Sequence, residues 1–228
     1  MGGAALKQAM LKSVPSQSLS APDFDSAFRS RFAELLAWRR DVRRFRADAV
    51  PEQLLAGALA PAAFAPSVGN CQPTRFVRVD DPARRSAIVA NFEDANAEAL
   101  KSYSGERAQT YAGLKLAGLR EAPIHFAVFC DDETSLGHGL GVRTMPQMRR
   151  YSSVCALHTL WLAARVHGLG VGWVSILDPA TVHIALDVPE AWSFIAYLCI
   201  GWPQEDHLTP ELERTGWQAR VEQEILLR

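Results

Sequence analysis

The sequence predicts a layered protein of the α+β or α/β type, and three observations predict it. Segments with apolar residues at helical spacing alternate along the chain with short β-prone apolar runs. At 228 residues, 48% of them hydrophobic, the chain can bury about 70% of its unfolded surface and needs no disulfide or metal staple. A formal net charge of −1, from 24 Lys and Arg against 25 Asp and Glu, argues against a nucleic-acid binder, whose affinity rests on counterion release by many cations.

Residues 1–24 mix Gly, Ser, Pro and Gln without periodicity and read as an N-terminal arm, flexible or draped on a partner. Residues 25–228 read as a single domain. Asp25 or Ser26 caps a first helix reaching Trp38, with Phe28, Phe32, Leu35 and Leu36 on one face. A second helix starts near Pro51, a residue suited to the first helical turn, and stops before Pro66. Residues 75–80 alternate as a strand. Asp81-Pro82 opens a long helical region running through 91–119. Residues 124–130 are apolar and β-prone, a central strand. Residues 131–148 are rich in Gly and polar side chains and suit a mobile lid.

Residues 151–167 form a helix closed by Gly168 at the usual C′ position. Val154, Leu157, Leu160, Trp161, Leu162 and Val166 make it apolar on more than one face, so it belongs in a core or an interface. A short strand over 171–176, a short helix over 179–186 and a strand over 193–201 follow. The tail ends in Ile225-Leu226-Leu227, which must pack somewhere, a partner subunit included. No apolar run approaches the roughly 20 residues of a membrane span, and the first twenty residues lack the apolar core of a secretory signal. Cys71, Cys130, Cys155 and Cys199 form no CxxC pair, and the six His show no ligand spacing. Neither a disulfide framework nor a metal site is expected, and the compartment is expected to be the cytoplasm.

Three constellations carry chemistry. Arg39-Arg40-Asp41-Val42-Arg43 crowds three guanidiniums, which suits a phosphate; the same cations also suit a helix C-terminus, with Asp41 pairing a neighbour. Ala65-Pro66-Ser67-Val68-Gly69-Asn70-Cys71-Gln72-Pro73 joins a helix to a strand. There Ser67, Asn70 and Gln72 could bond the edge of a planar heterocycle, or simply form a turn. Gly168-Leu169-Gly170-Val171-Gly172-Trp173-Val174-Ser175 lets either a ligand or another element approach the backbone closely. The chain has no GxGxxG, no P-loop and no GxSxG elbow.

In this order the three pieces resemble the nitroreductase-like flavoproteins. A closer resemblance, over about residues 30–220, is to the 5,6-dimethylbenzimidazole synthase (BluB) family. It rests on the Arg knot, Ala65-Pro66-Ser67-Val68-Gly69, Ser104-Gly105-Glu106-Arg107, Tyr111 with Leu114-Lys115-Leu116, and Ala122-Pro123. It continues through Pro146-Gln147-Met148, Tyr151-Ser152, the stretch from Leu160 to Arg165, that from Gly170 to Ile176, and Gly216-Trp217. The sequence departs from that pattern at Asn70-Cys71-Gln72-Pro73-Thr74, where larger apolar residues and a Trp are usual, and at Gly141-Val142-Arg143.

The resemblance implies an α+β fold with a central, mostly antiparallel sheet flanked by helices, in an intertwined homodimer with FMN at its interface. It implies that reduced FMN and O2 are consumed to give 5,6-dimethylbenzimidazole, the lower ligand of cobalamin, and erythrose 4-phosphate. A separate flavin reductase could supply the reduced FMN. Asp41 and Ser175 take the catalytic positions. Arg39, Arg40, Asp41, Val42, Arg43, Pro66, Ser67, Asn70, Gln72, Gly172, Trp173, Val174 and Ser175 take flavin-contacting ones. Arg220, with Arg214 as competitor, makes the late phosphate contact. The alternatives are an NAD(P)H-dependent nitroreductase on the same fold and a catalytically silent flavin-binding module.

Overall fold

A computed structural model describes residues 21–228; most of the expected N-terminal arm lies outside the described residues. Four strands make one sheet in the order β1-β2-β4-β3: β1 (Thr74–Arg78), β2 (Ile124–Asp131), β3 (Gly170–Val174) and β4 (Trp192–Gly201). Every pairing is antiparallel, so the sheet is of the kind the resemblance implies. Strand β2 is buried along all but its last residue because helices cover both its faces, the pattern of a doubly buried strand. On one face Phe126 and Val128 meet Leu157, Leu160 and Trp161 of helix α5 (Met148–Val166), with Leu55 and Leu59 of α2 (Glu52–Leu59). On the other, Ala127 and Phe129 join Ile88 of α3 (Pro82–Leu100) and Val182 and Leu186 of α6 (Pro179–Leu186).

Helix α1 (Ser26–Trp38) starts where expected, because Asp25 accepts the Phe28 N–H at 2.7 Å. Its apolar face forms but is not buried: Phe28, Phe32 and Leu36 remain 48%, 45% and 41% exposed. The long helical region expected through 91–119 divides. Helix α3 ends at Leu100, and α4 (Gly105–Ala112) begins at a glycine with φ +57°. That left-handed backbone cannot continue a right-handed helix. Residues 114–118 then run without regular structure. Helix α5 buries Leu157, Leu160 and Trp161 but leaves Val154 and Val166 exposed, so one chain does not cover every apolar face. Beyond the one-turn helix α7 (Glu211–Arg214) the tail is irregular, and Ile225, Leu226 and Leu227 lie exposed. Among the described residues no helix is long and apolar enough to cross a membrane, and no cluster of metal-ligating side chains forms.

Candidate active site

The chain leaves α1 at Arg39, whose backbone is already extended at φ −68° and ψ 120°. The next residues run along β3: Asp41 bridges Val171 in parallel, and the Val42 N–H donates to the Val171 carbonyl at 3.1 Å. This approach is what the glycines of β3 permit. A Cβ on Gly170 would come within 2.7 Å of Val42 Cγ2, and one on Gly172 would fall on the Val42 carbonyl oxygen. Of the two readings open for these glycines, the structure uses the close approach of another element. Val42 itself packs towards the core cluster around Phe45.

Asp41 is thereby fixed at both oxygens. Oδ1 accepts the Trp173 N–H and Oδ2 accepts Arg43 Nε–H, each at 2.8 Å. Burial raises the pKa of Asp41, against the Arg43 charge and the Trp173 N–H, which favour the carboxylate. Its side chain still keeps 30% of its surface open. Arg43 continues the chain of bonds by donating Nη1–H to the Lys115 carbonyl at 3.0 Å, which places the Leu114-Lys115-Leu116 stretch against the knot. Lys115 is paired in turn with Glu121. Trp173 packs its ring near Trp161, with centroids 6.2 Å apart. Val174 is buried, and Ser175 follows the strand, exposed and without a side-chain hydrogen bond to any described residue. Ser175 lies two residues beyond Trp173, just past the end of β3.

The cations in and around the knot divide by partner. Arg44 is matched by Glu211 and Glu205, and Arg165 by Asp206. Arg39 stands over the Trp161 ring, 4.7 Å from its centroid. Arg40 turns to backbone, donating to the carbonyls of Leu208 (2.8 Å from Nε) and Arg39 (2.6 Å from Nη1). Burial, and the Arg220 charge with it, hold both guanidiniums below their usual value, while Asp41 offsets this at Arg39. Arg214 lines the cleft beside the knot. Among the described residues, Arg39, Arg40 and Arg220 have no carboxylate within ion-pair distance. Such a convergence of unmatched cations has the donor chemistry for a phosphate, which neutralises it and accepts their planar N–H groups.

The loop before β1 lies apart from this cleft. Pro66, Ser67 and Gln72 line a second cavity of about 280 Å³ with Thr74, Phe76 and Ser152. Asn70 and Gln72 hold left-handed backbone at φ 55° and 44°, unusual without glycine and a mark of local strain. The Gln72 amide donates to the Asn70 side chain at 3.3 Å, and Ser67 Oγ accepts the Gln72 N–H at 3.2 Å. Ser152 Oγ accepts the Val68 N–H at 3.0 Å, so the Tyr151-Ser152 stretch supports the loop. The 131–148 stretch packs on it too: a Cβ on Gly137 would meet the Gly69 carbonyl at 2.6 Å. One chain thus brings the Arg knot to the end of β3 but leaves the 66–72 loop on another cavity. Among the described residues none lines both.

Two features were not legible as site components. Lys115 acts through its carbonyl, which carries no side-chain signature. Arg107, Tyr103, Tyr111 and Trp217 gather around the base of the C-terminal segment; only the presence of Arg107, Tyr111 and Trp217 in the motif stretches hinted at a link, and Tyr103 gave no signal.

An antiparallel four-stranded sheet between helical layers, with a cationic cleft at its edge strand β3, defines an α+β protein whose cleft carries donors suited to an anion. Residues 36–202 match the nitroreductase family, and the chain belongs to that family. It is 59% identical over 209 residues, 92% of the chain and 99% of the relative, to a 5,6-dimethylbenzimidazole synthase of Rhodospirillum rubrum. A Rhodobacter capsulatus protein of the same name is 47% identical over 87% of the chain and 96% of its own length. The fold is similar to that of an oxidised iodotyrosine deiodinase bound to FMN and 3-iodo-L-tyrosine, with TM-score 0.66 and 24% identity over 86% of this chain and 97% of that one.

Proposed function

We propose that the chain is a 5,6-dimethylbenzimidazole synthase, acting on reduced FMN and O2 to release 5,6-dimethylbenzimidazole and erythrose 4-phosphate. The observation that carries the reading is the Asp41 carboxylate, held inside an arginine knot by the Trp173 N–H and Arg43. A reductase that only passes hydride has no evident use for it. The name shared by relatives at 59% and 47% identity supports the same reading.

In this account Arg39, Arg40 and Arg220 bind the phosphate. Trp173, Val174 and Ser175 border the isoalloxazine, with Asp41 within reach of it. The flavin ring supplies the electrons and the reaction with O2. Asp41, its proton affinity raised by burial, gives and takes protons as the ring is dismantled. Ser175, with a free hydroxyl, hydrogen-bonds the ring edge. The 131–148 stretch closes over the ligand and excludes water. Pro66, Ser67, Asn70 and Gln72 reach the flavin of a partner subunit in a homodimer. The separation of their cavity from the knot within one chain favours such sharing, as do the uncovered apolar faces of α1 and the tail. Residues 25–228 act as one domain in the cytoplasm, where free thiols persist, and a separate reductase supplies the reduced flavin.

The test is an incubation with FMN under continuous reduction in air, followed by chromatography. Accumulating dimethylbenzimidazole with matching loss of flavin supports the reading. Intact flavin with rapid NAD(P)H-dependent reduction of nitro compounds favours the alternative, a nitroreductase on the same fold.

A further inference from the structure

The stretches Ser104-Gly105-Glu106-Arg107, Tyr111 and Gly216-Trp217 lie more than a hundred residues apart at their extremes, and they meet at one point. The chain turns there by a defined cap. Gly216 is left-handed at φ +74°, its N–H donates to the Glu213 carbonyl at 3.1 Å, and the Trp217 N–H donates to the Leu212 carbonyl at 2.8 Å. That pair of bonds is a Schellman motif, which needs a residue free to adopt positive φ. Trp217 then enters an aromatic box. Tyr103 is edge-on with centroids 5.4 Å apart, and Tyr111 is tilted against it at 5.9 Å. Tyr111 is itself anchored to α3, donating its hydroxyl to Asn96 Oδ1 at 2.7 Å.

Arg107 closes the box in two ways at once. Its guanidinium lies 4.6 Å from the Trp217 ring centroid, and its Nη1–H donates to the Trp217 carbonyl at 2.8 Å. A planar cation can stack and donate in this manner; an ammonium cannot do both equally well. On the other side, Arg44 holds Glu211 at 2.9 Å and Arg40 holds the Leu208 carbonyl. The segment 208–217 is therefore fastened at both ends to the rest of the domain. Arg220 follows three residues later, within about 10 Å of chain, in a tail whose residues from 218 onward are all exposed and without regular structure.

We propose that Arg107 is a positioning residue: its clamp on Trp217 aims Arg220 into the cluster formed with Arg39 and Arg40, and so sets affinity for the phosphate of the flavin nucleotide. The inference rests on the reading that this cluster holds the FMN phosphate. Without the clamp Arg220 starts from a moving base and spends conformational freedom on every binding event. Selectivity for FMN over riboflavin, which lacks the phosphate, then depends on a residue far from the phosphate itself.

The experiment is binding of oxidised FMN and of riboflavin, each followed by flavin fluorescence, to the wild type and to the Arg107→Gln, Arg220→Gln and double variants. Thermal unfolding is recorded for each. The wild type is expected to prefer FMN. Arg107→Gln is expected to weaken FMN binding about tenfold and riboflavin binding less than about twofold, with Arg107→Lys recovering part of the loss. The double variant is expected to match Arg220→Gln within about twofold, the signature of two residues acting through one contact. Equal loss of FMN and riboflavin in Arg107→Gln would show that the clamp serves the fold alone, and overturns the proposal. An undiminished effect of Arg107→Gln in the Arg220→Gln background would mean that Arg107 acts independently, and overturns it too. A wild type that does not distinguish FMN from riboflavin defeats the phosphate reading itself, and the proposal with it.

Discussion

The Trp173 N–H donates to Asp41 Oδ1 at 2.8 Å while Arg43 Nε–H occupies Oδ2 at the same distance. A carboxylate held this way keeps a fixed aim while burial raises its proton affinity. Asp41→Asn retains an acceptor for Trp173 but turns an N–H towards Arg43. The variant should still bind FMN and should lose product formation by about 10²- to 10⁴-fold, the usual worth of an acid–base group. Dimethylbenzimidazole yield against bound flavin checks this. With the Asp41 pKa raised above 3.8, the folded state holds its proton when the unfolded chain has released it. The contribution of Asp41 to stability therefore falls as pH rises from about 4 towards its folded pKa, and that slope should be missing from the pH–stability curve of Asp41→Asn.

Gly172→Ala places a methyl on the Val42 carbonyl oxygen, so the knot and β3 must separate. The expected cost is about 1–3 kcal/mol, as for other overpacked sites, together with weakened FMN binding. Gly105→Ala is the contrast. Its Cβ meets nothing within 4 Å and strains only a φ of +57°, which costs about 1 kcal/mol, and flavin binding should be unchanged. Urea unfolding and flavin titration measure both.

His125 lies 1% exposed between strands, its Nδ1 3.0 Å from the Tyr197 hydroxyl and its Nε2 3.2 Å from the Ala122 carbonyl. A carbonyl accepts only, so Nε2 carries the proton and the neutral ring accepts from Tyr197. Burial lowers its pKa from 6.5 to about 4. The unfolded chain binds the proton first, so stability is full above pH 6.5 and is lost as pH falls from there towards 4. The loss amounts to roughly 3 kcal/mol. Denaturant titrations across that range should show the decline, and His125→Gln should remove it.

Phe28 and Phe32 stack on one exposed face of α1 with ring centroids 6.3 Å apart, and Phe24, just before the helix, lies 4.8 Å from the Phe28 ring. A face of this size is expected to be covered by a second copy. Sedimentation should give a dimer, and Phe28→Asp with Phe32→Asp should shift it towards monomer. A wild type that sediments as a monomer at micromolar concentration would contradict this.

The sheet was legible because β2 and β4 are mostly apolar, β-prone runs, the first following Pro123 and the second ending at Gly201, and the helices because their apolar residues recur at three and four. The break at Gly105 was not, since a single left-handed glycine leaves the helical pattern on either side intact. Within the site, the Arg knot stood out by its charge density. The bond between Asp41 and the Trp173 backbone joins positions 132 residues apart, and nothing local in either segment announces it. Gly170 and Gly172 read equally well as ligand-facing or packing; only the path of Val42 decides between them. The exposed α1 face carried a clear helical period, but periodicity cannot say whether an apolar face is covered by its own chain or by another.

The central claim is that flavin is destroyed, not merely turned over. The most direct measurement is a single turnover: load the protein anaerobically with reduced FMN, admit air, and quantify remaining FMN, dimethylbenzimidazole and erythrose 4-phosphate by mass spectrometry. Asp41→Asn and Ser175→Ala are run alongside. The wild type should convert flavin to both products in equal amounts. Ser175→Ala, at an exposed position without protein partners, should fold with stability within about 0.5 kcal/mol of wild type and yet lose most of the product. Quantitative recovery of intact, reoxidised FMN from the wild type would contradict the account.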